Sequence, residues 1–156
     1  MVGGTTYLIT DRPNYEPTFW KFSEEGELQW ENRFEVGDIN QGWVYQLTPA
    51  QDNGFLIAGQ LPTDYFDIGD QMLLMKVDEN AGLEWMNSYG GKSFESAEDV
   101  LITSQNKIFL WGDNNSSPLS YNKQAMLVIT DLEGNLPVAI EYTPNTTSFK
   151  TLLYPN

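Results

Sequence analysis

The chain has 156 residues, 40% of them hydrophobic and 13% aromatic, which is the length and composition of one folded domain with a sizeable core. Eight Lys and Arg against 22 Asp and Glu leave a formal charge of −14, and this excludes the basic footprint that nucleic acid and anionic lipid surfaces require. Cys and His are both absent, so disulfides, thiol chemistry, His-based acid–base catalysis and the usual zinc sites are excluded as well. No apolar run approaches the roughly 18 residues of a spanning helix, so no membrane insertion is expected. The opening MVGGTTYLIT lacks the charged start and apolar core of a signal peptide. Two readings of that opening stand: a cytosolic protein, or a piece of a longer one.

In chain order, the first apolar run is YLIT (7–10), followed by a polar loop RPNYEP (12–17) and a second run TFWKF (18–22). The turn cluster SEEGEL leads to a third run beginning at Trp30, and a fourth run is VYQLT (44–48). The series then starts again: FLIAG (55–59), the long loop QLPTDYFDIGDQ (60–71), MLLMKV (72–77), the turn DENAGL, a run from Trp85, and VLITS (100–104). A third series follows with IFLWG (108–112), the loop DNNSSPLSYNKQ (113–124), AMLVIT (125–130), the turn DLEGNL and a run from Val138. The runs are short, rich in aromatic and β-branched residues, and bounded by Gly, Asn, Asp and Pro, which predicts strands. ESAEDVLI (95–102) is the single stretch with any helical character, and it reads as the lead into a strand.

Leu28, Leu83 and Leu136 align across the three series, as do Phe34, Tyr89 and Tyr142. The leucines are 55 and 53 residues apart, so the chain is about three copies of one unit. The units run over 1–51, 52–105 and 106–156. Within them GELQWENRFE (26–35) and GLEWMNSYGG (82–91) share the pattern Trp-x-Asn-x-aromatic. On a strand, residues two apart share a face, so Trp30, Asn32 and Phe34 point together, as do Trp85, Asn87 and Tyr89. The pattern therefore reads as a structural signature, with two aromatics packing a sheet-to-sheet contact and Asn satisfying a neighbouring backbone group. Four short strands in a unit of about 50 residues predict an all-β, β-propeller-like fold of about three four-stranded antiparallel blades.

The units resemble secreted bacterial propeller repeats of the form DGGFIIAGxT…DxxLIKTDxxGNxxWxKxYGG. The residues carrying the likeness are NGFLIAG (53–59), DQMLLMKVDENAGLEW (70–85) and YGGKSFESAEDVLITS (89–104), with WKFSEEGELQW and GWVYQLT in the first unit and MLVITDLEGNL in the third. The third unit departs from the pattern, carrying Pro137 and Val138 where Trp belongs. SFKTLLYPN (148–156) looks like the linker and LYPNP opening of the C-terminal sorting domains of the type IX secretion system of Bacteroidota; as an alternative, 149–153 form the last strand of the third blade. The resemblance implies an exported protein, secreted or at the bacterial cell surface, that serves as an interaction or surface module. Three blades do not close a ring of four to eight, so the expected partners are further blades, a second protomer, or a protein that covers the open edges.

Loops joining the first and second strands, and the third and fourth, share one rim, and in this chain they are the longer ones. That rim carries Tyr15, Asp64, Tyr65, Phe66, Asp67, Asn114, Asn115 and Tyr121, the expected binding residues. Aromatics among Asp and Asn suit glycan stacking and a flat protein epitope equally, and they also suit loops that merely fold over the blade edge. Asp64, Asp67 and Asp70 are weak calcium candidates in a spacing that is not an EF-hand loop, and no other cofactor is expected. No catalytic residue is expected, since Ser has no His to activate it, no phosphate loop is present, and Glu24, Glu25 and Glu27 sit in an acidic turn. The sequence thus points to a non-catalytic surface module for protein interaction or scaffolding, with secretion machinery or surface proteins as partners. The alternatives are a glycan-binding module and a self-assembling oligomeric scaffold.

Overall fold

A computed structural model describes residues 2–8, 14–34, 42–62, 69–91, 93–115 and 123–136. Within them the chain is all-β, with ten strands and no helix: β1 (Val2–Leu8), β2 (Asn14–Phe22), β3 (Leu28–Arg33), β4 (Trp43–Pro49), β5 (Phe55–Pro62), β6 (Asp70–Val77), β7 (Leu83–Tyr89), β8 (Phe94–Ile102), β9 (Ile108–Asn115) and β10 (Lys123–Thr130). ESAEDVLI lies in β8, as a strand. Strands β1-β2-β3 form one antiparallel sheet. Strands β4-β5-β6-β7 form a second and β8-β9-β10 a third, the last two joined by a single parallel bridge between Asp70 and Phe94.

The sequence repeat and the sheet are out of phase by one strand. VYQLT, the fourth run of the first series, pairs along its length with FLIAG of the second series and lies in a different sheet from β3. A tight turn at Ala50–Gly54 joins β4 directly to β5, and hairpin closure across so short a loop favours that partner. β8 is related to β9 in the same way. The second sheet is therefore built from the end of one sequence unit and most of the next.

Two runs differ in extent from the sequence reading. β1 begins at Val2, and β2 begins at Asn14, so Asn14, Tyr15, Glu16 and Pro17 of the expected rim loop lie inside a central strand. Gly3, Gly4 and Pro17 are poor strand formers, which is why the pattern hides them. Ladder pairing overrides that preference: Thr5 pairs with Pro17, and the Pro17 carbonyl accepts the Phe34 N–H at 3.0 Å. In the same way Asp113–Asn115 extend β9, and Phe94–Ser96 begin β8.

The two central strands of the second sheet are buried on both faces, which explains why MLLMKV is a nearly continuous apolar run. Alternate residues of β5 and β6 feed two cores. Leu56, Ala58, Met72 and Leu74 pack with Tyr89, Ala97, Val100, Ile108, Leu110 and Val128 toward the third sheet. Ile57, Leu73, Met75 and Val77 pack with Phe19 and Ala81, and with the half-buried Trp30 and Phe34, toward the first. The three sheets thus stack face to face through two apolar layers. Close approach of β4 to β5 and of β8 to β9 is permitted by Gly59 and Gly112 opposite the bulges in β4 and β8, where a Cβ would strike the Trp43 and Ser96 carbonyls.

Five turns share one construction. In Ser23–Glu27, Ala50–Gly54, Asp78–Gly82, Thr103–Lys107 and Asp131–Asn135 the first N–H donates to the fifth carbonyl at 2.8–3.0 Å. The fourth residue of each (Gly26, Asn53, Ala81, Asn106, Gly134) has positive φ. Asp78 Oδ1 accepts from the N–H groups of Asn80 and Gly82, and Asp131 Oδ1 from those of Glu133 and Asn135. Ser23 Oγ does the same for Glu25 and Glu27. These side chains replace the backbone partners that a hairpin turn lacks.

Candidate functional site

The Trp-x-Asn-x-aromatic strand of each of the first two sheets clasps the tight turn of the sheet that follows. Asn32 Nδ2 donates to the Asn80 carbonyl at 3.1 Å. One unit later, Asn87 Nδ2 reaches the carbonyls of Glu133 (3.4 Å) and Gly134 (3.5 Å), and Tyr89 Oη donates to Gly134 O at 2.6 Å. Phe34, lacking the hydroxyl, instead meets Phe19 edge to face with ring centroids 5.3 Å apart. A Cβ on Gly134 would lie 2.9 Å from Trp85 Cζ3 and 3.1 Å from Tyr89 Oη, so the turn backbone sits directly on the aromatic pair. Burial of Tyr89 raises its hydroxyl well above the ordinary phenol range; the nearby Asn87 amide opposes the shift and the Asp131 charge adds to it.

A polar network lies near the end of the second and third sheets that holds Pro62, Asp70 and Asn115. Tyr45 Oη donates to Gln60 Oε1 at 2.6 Å, and Gln60 Nε2 donates to Asp70 Oδ2, linking β4, β5 and β6. Burial, reinforced by the negative charges of Glu98, Asp70 and Asp113, pushes the Tyr45 hydroxyl up to about 12, so it stays protonated at neutral pH. Burial also raises Asp70, against the Gln60 hydrogen bond. Glu95 is almost fully buried; its Oε1 accepts from Asn114 Nδ2 at 3.0 Å, and its Oε2 has no hydrogen-bond partner of ordinary geometry among the described residues. Burial raises this carboxyl, the backbone N–H groups of Gly91 and of Glu95 itself oppose the shift, and the Asp70 charge adds to it.

At the opposite end, between the second and third sheets, a cleft of about 540 Å³ is lined by the Ala50–Asp52 turn, Leu56, Lys76, Glu84, Trp85, Ile102, Ile108, Leu132 and Glu133. Lys76 is buried there, with Nζ 2.9 Å from Asp52 and 3.1 Å from Glu84, and it donates to the Val77 carbonyl. Burial alone would lower its pKa, but the two carboxylates outweigh that and raise it. The ammonium is thus consumed by its neighbours.

Of the residues expected on the binding rim, Asp64, Tyr65, Phe66, Asp67 and Tyr121 lie outside the described residues. Tyr15 is paired with Tyr7 inside the first sheet, not in a loop. Asn114 is half-buried in β9 and engaged with Glu95, which makes it a structural partner in the network. Of the three calcium candidates only Asp70 is described; it heads β6 and accepts from Gln60. Among the described residues no group of three or more carboxylates is placed to hold a metal ion. Sequence reasoning missed Tyr45, Gln60, Glu95 and Lys76. Lys76 alone carried a signal, a lone charge inside an apolar run.

No protein-family model matches the chain, and no curated protein is significantly similar to it.

Proposed function

We propose that the chain is a segment of a β-propeller, its sheets successive blades, and that it works as a non-catalytic interaction or scaffolding module of an exported bacterial surface protein. The observation that carries this reading is the repeated clasp, in which one strand pattern joins the first sheet to the second and the second to the third. A stack built on one operation is the logic of a propeller or solenoid, whose terminal sheets present faces to partners. Phe22 of the first sheet is 44% exposed, whereas Val77, its counterpart in the second sheet, is fully buried; Leu28 and its counterpart Leu83 are exposed alike. The polar networks support a structural role, because each charged or hydroxyl group in them is held by a neighbour and none forms a nucleophile–base pair.

The test is affinity capture from outer-surface extracts with the native chain and with the Phe22→Lys/Leu28→Lys variant. A discrete partner held by the native chain and lost by the folded variant is expected. Equal capture by both, or none by either, would remove the interaction reading from this face.

A further inference from the structure

The clasp is directional, and of the three turns that correspond in position, Ser23–Glu27, Asp78–Gly82 and Asp131–Asn135, the first is not clasped among the described residues; the Ala50–Gly54 and Thr103–Lys107 turns share the construction with exposed fourth residues but join other strands. Ala81 and Gly134, the fourth residues of the Asp78–Gly82 and Asp131–Asn135 turns, are buried beneath the sheets that precede them. Gly26 holds the same place in Ser23–Glu27, with φ +85, yet a Cβ there would meet nothing within 4 Å. Residues 24–29 are exposed throughout. The first sheet therefore presents a preformed acceptor, of the geometry clasped elsewhere in the molecule, with its carbonyls in water.

Among the described residues no Trp-x-Asn-x-aromatic donor is spare for it. Trp30 and Asn32 serve the second sheet, and Trp85 and Asn87 serve the third. The aligned positions of the third unit are Val138 and Ile140, which offer neither the indole nor the amide. We infer that the Ser23–Glu27 turn is the docking site for a Trp-x-Asn-x-aromatic strand supplied from outside these 156 residues, and not for a second copy of the chain. The inference rests on the propeller reading and specifies which surface continues the stack and what chemistry completes it. The incoming sheet would also meet Trp20, whose indole donates to Glu31 at 2.9 Å, with Arg33 closing on the same carboxylate at 2.7 Å. That pair is already mutually neutralised, so the face can be covered without stranding a single charge.

The probe is the full chain extended at its N-terminus by a second copy of its own residues 42–91, which carries a free Trp-x-Asn-x-aromatic donor. Amide hydrogen exchange is read at Glu25, Gly26 and Glu27, and molar mass is followed by light scattering over a dilution series. The expected result is a monomeric native chain with fast exchange at this turn, and a slowing of about tenfold in the extended chain, the factor that one added hydrogen bond with its packing supplies. Replacing the donor Asn by Ala in the added copy should abolish the protection. Unchanged exchange in the extended chain would overturn the inference and make this face a polar cap that ends the stack. Protection in the native chain that disappears on dilution would overturn it too, by showing that a second copy fills the site. In the native chain, Asn32→Ala should speed exchange at Asp78–Gly82, and Asn87→Ala at Asp131–Asn135. If neither does, the repeated-clasp reading itself fails, separately from the docking site.

Discussion

Glu95 is a carboxyl nearly out of water, with one oxygen held by Asn114 and the other without a hydrogen-bond partner of ordinary geometry among the described residues. Its folded-state pKa lies above the ordinary 4.5, mainly through burial, so the native state holds a proton that the unfolded chain releases more easily. Between those two values the native state binds more protons, and stability falls as pH rises. Glu95→Gln removes this slope, because the amide stays neutral and keeps an oxygen for Asn114. The variant should melt about 2–5 °C higher than the native protein at neutral pH and converge with it below the ordinary Glu value. Thermal melts of both proteins across the acidic to neutral range check this, and a native protein that stays more stable at every pH would refute it. Lys76 has a slope of the same sign, but there it is the charged form that the fold stabilises. Its raised pKa means that the ion-pair contribution is present below the ordinary 10.5 and is lost as pH climbs through the folded value. Lys76→Ala should cost about 2 kcal/mol in urea unfolding at pH 7, since it leaves Asp52 and Glu84 facing each other and a gap in the sheet. Lys76→Met, which fills the space, should cost less.

The turns show what a sequence discloses about elements and what it withholds. SEEGEL, DENAGL and DLEGNL announce turns, and Asp and Ser perform the side-chain capping that their types suggest. Which residue takes the positive φ was not legible in DENAGL: Ala81 adopts it at φ 60, although Gly82 stands beside it. The repeat explains the choice, since the fourth place of all five turns is left-handed and Ala81 fills the small space above Trp30 and Phe34. The strands themselves were legible because both faces of the second sheet are apolar. Their partners were not, because run spacing is blind to which neighbour a strand joins, and β4 went to the next sheet. The Tyr45–Gln60–Asp70 network was hidden for the same reason: three polar residues scattered over 26 positions meet only when β4, β5 and β6 align. A matched pair of substitutions separates turn strain from clasp packing. Gly26→Ala and Gly134→Ala both place a Cβ at positive φ, costing about 1 kcal/mol each. Only Gly134→Ala also pushes against Trp85, Asn87 and Tyr89, and it should cost about 1–3 kcal/mol more. Equal losses in urea unfolding would mean that the clasp contributes nothing to stability.

At the scale of the molecule, the second sheet couples the other two, because it belongs to both apolar layers at once. Leu73 and Leu74 are adjacent in β6 and fully buried, yet they enter different cores: Leu73 toward the first sheet, Leu74 toward the third. Truncating either to Ala removes the same atoms and should cost about 2–5 kcal/mol globally, depending on how far the cavity collapses. Their local consequences should differ. In a stack held by neighbour-to-neighbour contacts, loosening one layer lowers the opening free energy of the sheet beyond it while the rest stays closed. Leu74→Ala should therefore speed amide exchange in β9 and β10 before β2 and β3, and Leu73→Ala should reverse that order. Native-state exchange under mild denaturant resolves the two, because sub-global opening exposes one sheet at a time whereas global unfolding exposes all together. If both variants accelerated every strand alike, the three sheets would form a single cooperative unit. The first sheet's open turn would then be the edge of a closed domain, and a partner would bind a finished surface there. If the order follows the layers, each sheet is stabilised by its neighbour, and the uncovered face of the first sheet is the place where one more neighbour would add stability to the whole.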